Sequence, residues 1–115
     1  IRFNSTDVPF KQTAFPQYKY PLAKERYAKI ADYLNLHGNT PEEKVESLIT
    51  AIQTLKDQLD IPSSISECGI NTDEFYSKLD QMSEHAFDDQ CTSANPRYPL
   101  ISEIKAMYIA AYSTK

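Results

Sequence analysis

Thr40-Pro-Glu-Glu-Lys-Val-Glu-Ser-Leu-Ile-Thr-Ala-Ile-Gln-Thr-Leu-Lys-Asp-Gln-Leu59 opens with a hydroxyl, a proline and, three residues after the hydroxyl, Glu43. A hydroxyl followed three residues on by a carboxylate is a capping box. It lets a helix satisfy the first N–H groups that no carbonyl can reach, and proline is tolerated at N1 because its missing N–H would be unused there. Val45, Leu48, Ile49, Ile52, Leu55 and Leu59 then recur at three and four residues, while Glu42, Glu46, Lys56 and Asp57 fall on the other side. That spacing predicts an amphipathic helix from Thr40 to about Leu59 with its whole apolar stripe in a core.

Upstream, Pro21 begins a pattern in which Ala23, Tyr27, Ile30, Ala31 and Leu34 share a helical face, stopped by Asn35, Gly38 and Asn39. Downstream, Pro62 breaks the pattern. Ile61, Ile65 and Ile70 around Gly69 predict a compact turn with a short helical piece. Asn71 or Thr72 can cap a third long helix carrying Phe75, Leu79, Met82 and Ala86 and ending near Asp88. A polar loop from Gln90 to Tyr98 follows, and Pro99 with Ser102 marks the start of a last helix buried through Ile104, Met107, Tyr108 and Ala111.

No alternating pattern predicts a strand, and no repeat of fixed period is present. The expected class is all-α, an irregular helical bundle over residues 21–115. Residues 1–20 are expected to form an extended aromatic arm after the last turn of a preceding helix, because Pro9 and Pro16 oppose regular structure. Phe10, Phe15, Tyr18 and Tyr20 would pack along a neighbouring surface.

With 115 residues, 41% hydrophobic and 24% charged, the chain can bury one modest core. Its net charge of −4 is scattered, with no basic stripe to neutralise phosphates, so nucleic acid is not an expected partner. No apolar run reaches the ~20 residues that span a bilayer, and the expected location is the cytoplasm. Cys68 and Cys91 are expected to be reduced thiols.

The titratable residues offer little chemistry of their own. His37 sits in a polar loop and His85 on a helix near Glu84 and Asp88, in neither case at a metal-ligand spacing. Asp88 and Asp89 are adjacent, so on a helix they diverge by about 100° and do not oppose each other as acid and base. Cys91 has no identifiable base and reads as a buried or pocket-lining thiol. No catalytic, metal-binding or cofactor-binding residue is therefore assigned within the chain.

Ala86, Asp89, Cys91, Thr92, Asn95, Pro96 and Arg97 form the most informative segment. Read from the residues, it is an ordered turn in which Asn95 before Pro96 starts a bend and the Arg97 fork ties loop carbonyls or a carboxylate into place. These residues, at these offsets, resemble the C-terminal signature of the iron-dependent (group III) alcohol dehydrogenases. Lys11 to Tyr18, Glu25 to Leu34 and the continuation Arg97 to Ser102 are similar to the alcohol dehydrogenase half of the bifunctional aldehyde-alcohol dehydrogenases. Ser93 departs from the glycine frequent at its position, and a left-handed Ser there would cost ~1 kcal/mol.

The resemblance implies a C-terminal fragment of the helical domain of a larger oxidoreductase. Its substrates would be short-chain aldehydes such as acetaldehyde and primary alcohols such as ethanol, and NAD and Fe(II) would be cofactors of the parent enzyme. The implied partners are the rest of the parent chain, with its NAD-binding domain and iron-binding helices, and further copies in a homo-oligomer. In that family one Asp and three His hold the iron, and none of them corresponds to a residue here; the chain would begin just after the last of these ligands and be inactive alone. Cys91 would line the alcohol pocket, with Asp89, Thr92, Asn95, Pro96 and Arg97 as the structural loop. The competing expectation is a free-standing helical interaction module whose aromatic arm docks a partner.

Overall fold

The computed structural model describes residues 1–5 and 23–113. Five α-helices occur among them: α1 (Arg2–Ser5), α2 (Ala23–Tyr33), α3 (Pro41–Gln58), α4 (Thr72–Asp88) and α5 (Ile101–Tyr112). Short 3₁₀ turns cover Ser66–Cys68 and Thr92–Ala94, and no strand is present among the described residues. The class is all-α. Most of the expected aromatic arm, including Phe10, Phe15, Tyr18 and Tyr20, lies outside the described residues. The helices fall into two compact units, Ile1–Leu59 and Asp60–Lys115.

In the first unit, the start of α3 is fixed as its sequence dictates. Thr40 Oγ1 accepts the Glu43 N–H at 3.2 Å, and Pro41 stands in the first turn. The Glu43 carboxylate reaches one residue further back than a standard capping box, accepting the N–H of Asn39 at 2.6 Å. Helix α2 ends in a Schellman motif: Asn35 adopts φ 57°, its N–H reaches Asp32 O at 3.0 Å, and Leu36 N–H reaches Ala31 O at 2.9 Å. Asn35 serves as the left-handed residue because asparagine bears that conformation better than most side chains. Gly38 is needed for a different reason, since a Cβ there would sit 2.8 Å from Lys44 N and 3.1 Å from the Glu43 carbonyl carbon.

Helices α2 and α3 pack through small residues. Ala28 and Ala31 on α2 are buried along with Val45 and Leu48 on α3, and Ala31 is 0% exposed. Ile30 and Leu34, expected on the buried face of α2, are exposed instead, because the helix is rotated to press its alanines inward. The stripe of α3 is likewise buried only in part. Ile52, Leu55 and Leu59 are 40, 53 and 61% exposed, since the contact with α2 covers only the N-terminal half of α3.

In the second unit, Asn71 caps α4 by accepting the N–H groups of Asp73 and Glu74 at 2.8 and 3.3 Å. The buried face of α4 reads Phe75, Leu79, Ser83 at four-residue steps, and Ile104 of α5 is also buried. Ser83 is 0% exposed yet satisfied, donating its hydroxyl to Leu79 O at 2.8 Å. Phe75 stacks on Tyr112 with ring centroids 4.4 Å apart, and the Tyr112 hydroxyl donates to Ile70 O at 3.0 Å. Ile65 N–H bonds to Ala111 O at 2.9 Å, so the turn before α4 is pinned to the end of α5. Met107 and Ala111, expected in the buried face of α5, are exposed.

Candidate functional site: the loop between α4 and α5

The chain leaving α4 has no regular partner for its backbone, and its own polar side chains take that place. Asp89 terminates the helix in extended conformation, and its Oδ1 accepts the Cys91 N–H at 2.7 Å. The Thr92 hydroxyl donates to Ala86 O in the last turn of α4. Thr92 N–H bonds to Asp89 O at 3.0 Å, and Asn95 N–H bonds to Thr92 O at 3.1 Å. Together these wind residues 92–94 into a 3₁₀ turn against the helix end. Ser93 in that turn does not have positive φ, so the expected left-handed strain does not arise.

Beyond the turn, Asn95 Nδ2 donates to Arg97 O at 2.5 Å and bends the chain around Pro96. Arg97 is only 8% exposed, and its Nη2 donates to Glu103 Oε2. The other oxygen of Glu103 accepts the Leu100 N–H at 2.9 Å. Ser102 was expected to mark the beginning of α5, but the N-cap position is Leu100; Glu103 in the first turn accepts the Leu100 N–H, the carboxylate half of a capping box, while leucine has no side-chain acceptor for the return bond. Phe87 meets Tyr98 edge to face, centroids 5.9 Å apart, closing the loop over the end of α4.

The sequence-selected residues Asp89, Thr92, Asn95, Pro96 and Arg97 are thus brought into one wired loop. Cys91 sits at its start with an exposed, free thiol, so of the two expected readings, buried or pocket-lining, the buried one is corrected. Its backbone is pinned by Asp89 while its side chain faces outward. Beside the loop lies an open hollow of about 490 Å³ lined by Met82, His85, Ala86, Asp89, Thr92 and Tyr108. Glu103 escaped sequence reading, as did the ring contact that Tyr98 makes with Phe87. The signal available was a Glu six residues after an Arg and three after the helix boundary, masked because the residue at that boundary is leucine.

No three His, Cys, Asp or Glu side chains among the described residues converge on a point that could hold a metal ion. His37 belongs to the first unit, where its carbonyl accepts the Ser47 hydroxyl, and His85 belongs to the second. The donors among the described residues therefore do not make up an iron site. No described helix is long and apolar enough to cross a membrane.

Residues 10–112 match the Fe-containing alcohol dehydrogenase family, C-terminal, and the chain belongs to that family. It is 58% identical over 112 residues to an aldehyde-alcohol dehydrogenase of Clostridium acetobutylicum, covering 97% of this chain and 13% of that protein. It is 52% identical over 114 residues to the bifunctional aldehyde-alcohol dehydrogenase of Escherichia coli, with the same two coverages, 97% and 13%. An NADPH-dependent butanol dehydrogenase of Clostridium saccharobutylicum is 44% identical over 88 residues, 76% of this chain and 23% of that protein. The chain spans only about an eighth of the length of the first two relatives, 13% in each case.

Proposed function

We propose that this chain is the C-terminal helical part of a bifunctional aldehyde-alcohol dehydrogenase, an oxidoreductase that interconverts short-chain aldehydes and primary alcohols. The observation that carries this reading is identity of 58 and 52% to two such enzymes over nearly the whole chain. Acetaldehyde and ethanol are the proposed substrates, and NAD is the proposed hydride carrier. Iron is the metal implied by the family. This reading assigns its ligands and the nicotinamide site to other parts of the enzyme; for the ligands it is supported by the absence of three converging His, Cys, Asp or Glu side chains among the described residues.

In this reading the loop from Asp89 to Leu100 forms a wall of the alcohol pocket, with the Cys91 thiol as the side chain turned toward substrate. The support is geometric: the thiol is exposed, and the backbone that carries it is fixed by Asp89 Oδ1. A fixed wall positions the reacting carbon and excludes water without transferring a proton or hydride itself. The isolated chain is accordingly expected to be inactive, and the whole protein to work in the cytoplasm as a homo-oligomer.

Cys91→Ala in the whole enzyme tests the assignment. KM for ethanol should change by roughly threefold to tenfold, with kcat altered by less than about twofold, since uniform binding and not a bonded step is removed. Loss of turnover with normal folding and iron content would instead give Cys91 a direct chemical role.

A further inference from the structure

Glu103 stands outside the signature that identifies the loop, yet both of its carboxylate oxygens hold that loop's far end. Oε1 accepts the Leu100 N–H at 2.9 Å, the carboxylate half of a capping box whose other half leucine cannot provide. Oε2 meets the guanidinium of Arg97, and the two side chains are only 21 and 9% exposed, respectively. Arg97 in turn offers its carbonyl to Asn95 Nδ2 at 2.5 Å. A continuous run of bonds therefore leads from the first turn of α5 through Arg97 to Asn95. The other end of the loop is held by Thr92 on Ala86 O and by Asp89 on the Cys91 N–H.

Charge-assisted bonds with little access to water are less screened than exposed ones, and removing one partner leaves the other charge poorly solvated, so breaking this pair is felt more than breaking the exposed ion pairs elsewhere in the chain. Arg2–Glu46 and Lys105–Asp80 illustrate the contrast, with side-chain exposures of 63 and 58% in the first and 42 and 79% in the second. A carboxylate that is both helix cap and counter-ion couples the angle at which α5 starts to the shape of the loop. Glutamine at this position keeps an acceptor for Leu100 and loses the charge; alanine loses both.

We propose that Glu103 is a positioning residue for substrate binding: by tying Arg97 to the start of α5 it fixes the Asp89–Leu100 loop, and with it the Cys91 wall of the alcohol pocket. This rests on the pocket-wall reading above. Glu103 itself does not touch the reacting atoms.

The test uses the whole enzyme with Glu103→Ala, Glu103→Gln and Cys91→Ala in parallel. It reads KM and kcat for ethanol, and amide hydrogen exchange in peptides spanning 89–100 against peptides spanning 75–83. Glu103→Ala should raise KM roughly tenfold and Glu103→Gln about threefold, with kcat within about twofold, because a misplaced wall weakens binding more than it slows the bonded step. Exchange should quicken in 89–100 and not in 75–83. A KM unchanged in both Glu103 variants while Cys91→Ala shifts it would overturn the positioning role alone. If none of the three variants moves KM, the pocket-wall reading falls and takes this proposal with it. A fall in kcat at constant KM, or a KM shift without faster exchange in 89–100, also contradicts it. Should Glu103→Ala fail to fold, Glu103→Gln decides by the same criteria.

Discussion

The unit of α2 and α3 is held by alanines pressed against Val45 and Leu48, whereas the unit of α4 and α5 uses Phe75, Leu79 and Ile104 with a Phe75–Tyr112 stack. Their connections differ as well. Between α2 and α3 the turn is set by a left-handed Asn35 and a glycine where two backbones meet, with Thr40, Glu43 and Ser47 adding side-chain bonds only at the start of α3. Between α4 and α5 the loop is made by side chains, with Asp89, Thr92, Asn95, Arg97 and Glu103 each bonded to a neighbour. Small residues let helices approach closely and make a compact spacer. A side-chain network instead fixes one loop shape, which is what a binding wall requires.

The largest difference should appear on truncating leucines in the two units. Leu79→Ala, at a position 2% exposed, is expected to cost about 2–5 kcal/mol, while Leu55→Ala, 53% exposed, should stay within about 0.5 kcal/mol in the same chain. Urea denaturation measures both, and equal losses would mean that the lower half of α3 is covered in solution. Next in size is Gly38→Ala. Its methyl group would meet backbone atoms of Lys44 and Glu43 at 2.8 and 3.1 Å, so a loss of about 1–3 kcal/mol is expected, confined to the first unit. The same substitution at Gly69 meets nothing within 4 Å, and only its φ of 84° opposes it, at a cost of about 1 kcal/mol.

The smallest effect is electrostatic. The Ser63 N–H and hydroxyl, both 2.9 Å from the Glu67 carboxylate, hold its pKa below the ordinary 4.5. Because the folded value is depressed, this stabilisation is complete above the unfolded pKa and disappears as pH falls through the folded one. The stability gap between the native chain and Glu67→Gln should thus narrow on acidification below pH ~4.5, and a gap that widens there would refute the sign.

What could be read beforehand follows the same division. Helix starts at Thr40 and Asn71 were legible because a cap and its N–H partners lie within three residues. The buried faces were legible only halfway. Periodicity says which residues share a side of a helix, but not how much of that side a neighbour covers, so Ile52, Leu55 and Leu59 read as core. Ser83 was invisible for the converse reason: a hydroxyl that bonds its own helix backbone is buried without being apolar. In the loop, Arg97 was recognisable as a donor seeking a carboxylate, but choosing Glu103 among the acidic residues needed the fold.

The central claim is that this polypeptide forms scaffold and pocket wall for chemistry whose metal is held elsewhere. Equilibrium dialysis of the purified 115-residue chain against Fe(II) under anaerobic conditions tests it most directly. The account predicts no stoichiometric uptake at micromolar metal. One tightly bound iron per chain, with its ligands mapped inside these residues, would contradict it.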